Sequence, residues 1–197
     1  MGIDQFQRLD HWEFFLTIES DILHLSRYIE FTENNFSCYS MEVAQLLLRT
    51  CSEIDIIARQ VCVNLDANTD AKNINSYHNV LTDKFENLLN FPVLMRRFGL
   101  RFSPWISWKN NQPPFWWTAH NRVKHERHEY FHDATLKNVL NAAAGLFVIL
   151  LYLYREEARS AKLYPNPILY EVTTDHQGGW TQDPNSGLLI THYSSLD

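Results

Sequence analysis

Four polar residues lie between positions 121 and 132: Asn121, and three histidines whose side chains suit proton transfer, His125, His128 and His132. On a continuous α-helix, at about 100° per residue, they fall within about 60° of one another and share one stripe. Histidine exchanges protons near neutral pH and serves as a general acid or base. The spacing therefore predicts a site of acid–base chemistry on one helix face.

The same stripe continues downstream with apolar residues, at Leu136, Val139 and Ala143, which we expect to face the core. Burying imidazoles and an amide on a core-facing stripe costs free energy unless each group finds a partner. We therefore expect a polar pocket or groove at one end of the helix, or a symmetric interface that shares these residues.

Positive charge is concentrated around this stripe. Residues 91–128 contain one carboxylate, Glu126, and seven cations, so the segment carries +6 while the whole chain carries −6. The cations are Arg96, Arg97, Arg101, Lys109, Arg122, Lys124 and Arg127. Cations that bind phosphates, interleaved with rings that stack on bases, are typical of single-stranded nucleic-acid binding. Trp105 and Trp108 are the candidate stacking rings. The alternative is that the aromatic side chains form core and the cations pair with the acidic remainder.

Three interpretations of the histidines stay open. His128 and His132, four residues apart, could bind a metal ion with His125 or Glu129 as a third ligand, although no HExxH pattern is present and Lys124 and Arg127 would repel a dication. The histidines could be purely structural, hydrogen-bonded or lying in a dimer contact. They could also cleave RNA through its own 2′-hydroxyl, which needs a base, an acid and cations on the phosphate but no metal.

The segment resembles the HEPN superfamily of all-α bundles, many of them metal-independent ribonucleases. The family signature is an arginine, a polar residue and, a few residues later, a histidine. Arg127 and His132, with four residues between them, are similar to it, and so are Arg122 and His128, with five between them. The string from Asn121 through Lys124 to His125 is similar to an N-x-x-K-H variant of the motif. The helix order over residues 5–160 also resembles the family.

This resemblance implies a metal-independent endoribonuclease without a cofactor. It also implies a role as a toxin or anti-phage effector, with an antitoxin or defence-system protein as partner. It implies His132 or His125 as the general base and Arg127 on the scissile phosphate. His128 and Asn121 would orient that pair, and Lys124 and Arg122 would add RNA-binding charge. It also implies a homodimer with the motifs facing each other across the two-fold axis. The alternative is an inactive RNA- or nucleotide-binding or protein-interaction module.

Apolar periodicity predicts the helices that position this segment. Helices are expected over residues 5–31, 40–65 and 76–90, with Ser40 as an N-cap, and then from Phe115 to about Ala161 with a kink near 133–134. Residues 91–114 contain proline and glycine and are expected to be irregular. The fold class is therefore all-α, a four- to five-helix bundle. Residues 1–162 are expected to form the helical domain, and residues 163–197 an irregular tail that packs on the domain or wraps it and could include a short β-hairpin.

Composition sets the remaining expectations. The chain of 197 residues has an ordinary apolar fraction of 45%, which excludes a disordered chain. It has three cysteines without a CxxC pair, and its first residues lack a signal-peptide pattern, so we expect a cytoplasmic protein. The most apolar stretch, 139–154, is shorter than the roughly 20 residues of a membrane span, which favours a core helix and no membrane association.

Overall fold

A computed structural model describes residues 8–173, 177–182, 189–193 and 196. Seven α-helices lie in these residues, and five short 3₁₀ turns connect them. The helices are α1 (Asp10–Leu25), α2 (Met41–Leu65), α3 (Ile74–Lys84), α4 (Phe115–His125), α5 (Arg127–Tyr130), α6 (Leu136–Leu153) and α7 (Arg155–Arg159). The predicted helical bundle is confirmed. The first helix begins at Asp10, and residues 5–7 of the predicted range lie outside the described residues.

Side-chain caps fix where two of the long helices begin. Ser40 accepts a hydrogen bond from the backbone N–H of Val43, so the predicted N-cap of α2 is confirmed. Asn73 caps α3 in a capping box with Ser76, which places the start of this helix two residues earlier than the periodicity indicates. The third predicted helix ends at Lys84, and its last part continues as a 3₁₀ turn, Glu86–Asn90.

Helix α6 runs through the centre of the bundle and packs against α1, α2 and α4. By length and composition α6 could cross a membrane, yet every residue from 139 to 152 is buried inside the protein, as the predicted core helix requires. Gly145 lets the Trp116 ring approach closely, because a Cβ at this position would lie 3.1 Å from Cζ2 of that ring. The indole N–H of Trp105 donates to the Gly145 carbonyl at 3.2 Å.

A small antiparallel sheet corrects the all-α expectation. Strands β1 (Val93–Met95), β2 (Leu100–Phe102) and β3 (Glu171–Val172) pair in the order β2-β1-β3. Gly99 closes the β1–β2 turn with a φ of 65°, a conformation that glycine adopts without steric cost. The segment 91–114, expected to be irregular, thus holds a β-hairpin. Strands β4 (Gln177–Gln182) and β5 (Leu189–Tyr193) form a second antiparallel pair.

The residues that follow the helices are held by α1. The Glu19 carboxylate accepts backbone N–H groups of Ile168 at 2.9 Å, Leu169 at 2.7 Å and Tyr170 at 3.1 Å. The Trp12 indole N–H donates to the Pro165 carbonyl at 3.0 Å. Leu169 and Tyr170 are buried in the same core as the helices. This part of the predicted tail therefore packs into the bundle.

Candidate functional site

The helix that carries the predicted motif breaks in its middle. Val123 is buried, and the six residues that follow it, 124–129, are polar and exposed, so this run has no apolar face to hold a helix against the core. Helix α4 ends at His125, and Glu126 leaves helical geometry with φ −135° and ψ 44°. A short turn of α-helix, α5, and a 3₁₀ turn over Phe131–Asp133 follow. The continuous helix predicted across this region is wrong.

The break changes the environment of the predicted stripe. Asn121, His125, His128 and His132 are all exposed to solvent, so the expectation of a polar stripe facing the core is wrong. The apolar residues Leu136 and Val139, which the same wheel assigned to the core, are fully buried. A helical wheel that is drawn through a helix break assigns residues to one stripe although the backbone does not align them. We call residues 121–132 the histidine turn.

Arg122 folds the histidine turn back onto α4. Its guanidinium lies 3.2 Å from the Asp133 carboxylate and 5.2 Å above the centre of the Tyr130 ring. Asp133 is fixed in turn, because its carbonyl accepts the Asn138 side-chain amide at 2.7 Å. His132 Nε2 lies 3.7 Å from the same carboxylate. The Arg122 side chain is therefore held by two partners, the Asp133 carboxylate and the Tyr130 ring.

Arg127 and Lys124 are placed differently from Arg122. Both are exposed, and neither side chain forms an ion pair or hydrogen bond with any described residue. His125 and His128 are likewise exposed, and their imidazole rings make no hydrogen bond within the described part of the chain. The histidine turn therefore presents two imidazoles and two cations directly to solvent. Of the two arginine–histidine pairs in the sequence, Arg127 with His132 keeps its arginine available for an anion.

One histidine of this region is buried, and sequence reasoning missed it. His120 is 4% exposed, and its ring centre lies 5.1 Å from that of Trp117. Burial, assisted by the charge of Lys124, lowers its pKa to about 4, so the imidazole is neutral at physiological pH. Its Nδ1 is buried without a hydrogen-bond partner in the described structure. The sequence offered one signal for this burial: His120 lies on the same helix face as Trp116 and follows Ala119 directly, and both of these residues are buried.

Three of the upstream cations lie on the β1–β2 hairpin, residues 93–102, which we call the basic hairpin. Arg96, Arg97 and Arg101 are exposed there. The Arg96 guanidinium pairs with Glu171 at 2.7 Å, and Arg97 lies 5.3 Å over the Phe98 ring. Arg101 projects from the edge strand β2 and makes no ion pair with a described residue.

The predicted stacking tryptophans are core residues. Trp105 is 0% and Trp108 is 2% exposed, and their ring centres lie 4.4 Å apart. Trp105 also packs edge-to-face on Trp116 at 5.2 Å. Both rings are covered by protein, so the prediction that they stack on bases is wrong in this conformation. The alternative interpretation, in which the aromatic side chains form part of the core, holds for Trp105 and Trp108.

Possible metal ligands do not converge in the described structure. Among residues 8–173, 177–182, 189–193 and 196, no group of three His, Cys, Asp or Glu side chains could hold one ion. His128 lies in α5 and His132 in the following 3₁₀ turn, so the i, i+4 relation of a regular helix does not align their rings. The combination with His125 or Glu129 that the spacing left open is therefore not assembled.

Comparisons of the chain with models of protein families, with curated proteins and with solved structures find no significant match. The HEPN-like resemblance accordingly stands on the residues of the histidine turn and stays a prediction.

Proposed function

We propose that the protein binds single-stranded RNA on the histidine turn and cleaves it without a metal ion. One observation carries the proposal: the helix break exposes His125, His128 and His132 together with Lys124 and Arg127, whose side chains form no ion pair with a described residue. Exposed cations attract phosphates, and imidazoles beside them supply both proton transfers that RNA cleavage requires. The resemblance to HEPN ribonucleases supports the same reaction.

In this reaction the RNA supplies its own nucleophile. A base, His132 or His125, takes the proton of the 2′-hydroxyl, and the 2′-oxygen bonds to phosphorus while the bond to the 5′-oxygen breaks. A second histidine returns a proton to the leaving 5′-oxygen, so the products are a 2′,3′-cyclic phosphate and a 5′-hydroxyl. Arg127 donates hydrogen bonds to the phosphate oxygens as negative charge develops. His128 and Asn121 orient the reacting groups, and Lys124 adds positive potential.

A homodimer belongs to this proposal. The histidines lie on an exposed surface, and a symmetric contact would bring the same surface from two copies together around one RNA strand. A toxin or defence role, with a partner protein that restrains cleavage, fits an RNA-cleaving activity of this kind.

RNA binding without cleavage is the second candidate. One observation favours it: no described residue hydrogen-bonds the rings of His125 or His128, whereas catalytic imidazoles are commonly oriented by such a bond. An inactive module would use Lys124 and Arg127 for phosphates and would have no need of an oriented base.

The test incubates the protein with single-stranded RNA in excess EDTA and follows both cleavage and binding. We expect the wild type to release cyclic-phosphate ends. The Arg127→Ala/His132→Ala and His125→Ala/His132→Ala variants should be inactive, and RNA with 2′-O-methyl groups should stay intact because it lacks the nucleophile. A matched control, Lys84→Ala/Arg155→Ala, removes two exposed cations elsewhere and should keep full activity. Binding without cleavage by the wild type would establish the second candidate, and unchanged cleavage by both histidine variants would refute the proposed site.

A further inference from the structure

An open cavity of about 750 Å³ lies between the end of α1 and the first two turns of α2. This volume is within the range of small-ligand pockets. Leucine side chains, among them Leu25 and Leu46, form part of its wall. Polar and aromatic side chains converge on it from both helices and from the residues after α1: Asp21, His24, Tyr28, Glu42, Gln45 and Arg49.

The cavity lies beside the α1–α2 connection, residues 26–40, and this connection contacts both basic regions. Phe31 packs on Phe98 of the basic hairpin, with ring centres 4.8 Å apart. At the other end, Tyr39 packs edge-to-face on Phe131 of the histidine turn at 5.6 Å. The connection that borders the cavity thus contacts two surfaces that carry cations, the basic hairpin and the histidine turn.

The charges inside the cavity differ from those around it. Asp21 is neutralised by its ion pair with Arg49. Glu42 and Gln45 are exposed, and their side chains have no ion pair or hydrogen bond with described residues. The remaining carboxylate makes the cavity unfavourable for a phosphate and favourable for a neutral group that donates hydrogen bonds.

Tyr28 gives the cavity a flat apolar surface. Its side chain is 76% exposed, and its ring centre lies 5.5 Å from that of His24. A nucleobase is neutral and flat, stacks on exposed aromatic rings and carries hydrogen-bonding edges. The cavity and its surroundings therefore match the two parts of a nucleotide, with a base inside and phosphates outside.

We propose that this cavity binds one base of a single-stranded RNA whose phosphates lie on the basic hairpin and the histidine turn, an inference that rests on the proposed function. Tyr28 stacks on the base, and the Glu42 carboxylate accepts a hydrogen bond from an exocyclic amino group. Adenine, cytosine and guanine carry such a group. The donor on the base edge of uracil, N3–H, lies between two carbonyl oxygens that repel a carboxylate, so the cavity prefers an amino-bearing base.

The test measures, by anisotropy in EDTA, the binding of fluorescent oligoadenylate, oligocytidylate and oligouridylate that carry 2′-O-methyl groups, which the proposed reaction cannot cleave. We expect oligoadenylate and oligocytidylate to bind about 10-fold more tightly than oligouridylate, a typical worth of one good hydrogen-bonded contact to a base edge. Tyr28→Ala should weaken oligoadenylate binding by about 5- to 100-fold through lost stacking. Glu42→Gln should abolish the preference between bases. Phe14→Ala removes an exposed ring outside the cavity, on α1, and is the matched control, expected to change nothing.

Adenosine, tested by ligand-observed NMR, separates this inference from the proposed function. RNA binding that depends on Arg127 but is unchanged in Tyr28→Ala and Glu42→Gln would overturn the base site and leave the RNA function standing. Adenosine binding that is lost in Tyr28→Ala, in a protein that ignores RNA, would support the cavity as a site for free nucleosides and overturn the RNA strand as its source. Binding of neither ligand would overturn both.

Discussion

Removing the Glu19 carboxylate should loosen the chain segment that follows the helices. Glu19 is 2% exposed and accepts three backbone N–H groups, two of them from the buried residues Leu169 and Tyr170. In Glu19→Ala these two donors lose their acceptor. A buried unsatisfied donor costs about 1–3 kcal/mol, so we expect a loss of about 2–5 kcal/mol in the free energy of unfolding. For a chain of this size that corresponds to a Tm lower by roughly 5–15 °C.

Glu19→Gln is the conservative comparison. Burial raises the pKa of Glu19 despite its three hydrogen bonds, so folding disfavours the charged form. Its contribution to stability is therefore complete below the unfolded-state pKa and declines as pH rises through the raised folded-state pKa. A glutamine keeps one carbonyl oxygen for two of the N–H groups and carries no charge. Glu19→Gln should accordingly cost less than Glu19→Ala and should lack this pH dependence.

Thermal unfolding across pH gives the stability, and amide hydrogen exchange locates the change. We expect the amides of Ile168, Leu169 and Tyr170 to exchange faster in Glu19→Ala, while the amides of α6 keep their order of protection. A Tm within the error of the wild type, with unchanged exchange at these three amides, would refute the reasoning.

Two further perturbations test the packing around α4 and α6. The pKa of His120 is lowered to about 4, so the unfolded chain binds the proton more readily, and stability present above pH about 6.5 should be lost as pH falls towards 4. His120→Phe should remove that slope in pH-dependent unfolding, and an NMR titration of His120 with a midpoint near 6.5 would contradict it. Gly145→Val should destabilise by about 1–3 kcal/mol in urea unfolding, because its Cβ starts 3.1 Å from the Trp116 ring and the γ-methyl groups add to the crowding. Gly145→Ala, helped by its helix propensity, should cost less, and equal stability of the two variants would show that the ring moves freely.

Local signals predicted the long helices well. Helix α2 combines a serine cap with regular apolar spacing, and α6 is apolar throughout, so pattern and packing agree. The break at Glu126 had a weaker signal, namely the fully polar run from Lys124 to Glu129. A helical wheel assigns such residues a direction even where no packed face holds the helix.

The other differences between the predictions and the structure come from burial that local sequence patterns do not show. Trp105 and Trp108 lie in a basic segment, and composition does not show that their rings face inwards. Glu19 lies four residues after Phe15 on the buried side of α1, and its partners follow about 150 positions later in the chain, beyond the reach of any local pattern. The hairpin β1–β2 has strands of three residues, too short for alternation to distinguish them from a loop.

The pairing of β1 with β3 affects the order in which the protein is made and folded. Val93 pairs with Val172, so the sheet stays two-stranded until the ribosome has released the later strand. During this interval Glu19 and the side of β1 that β3 will cover have no partner. Contacts between such distant positions slow folding, because the loop between them must close first. We therefore expect a nascent chain that is halted before residue 168 to pack its helices less tightly. It should also expose the unpaired edge of β1 to proteases and chaperones.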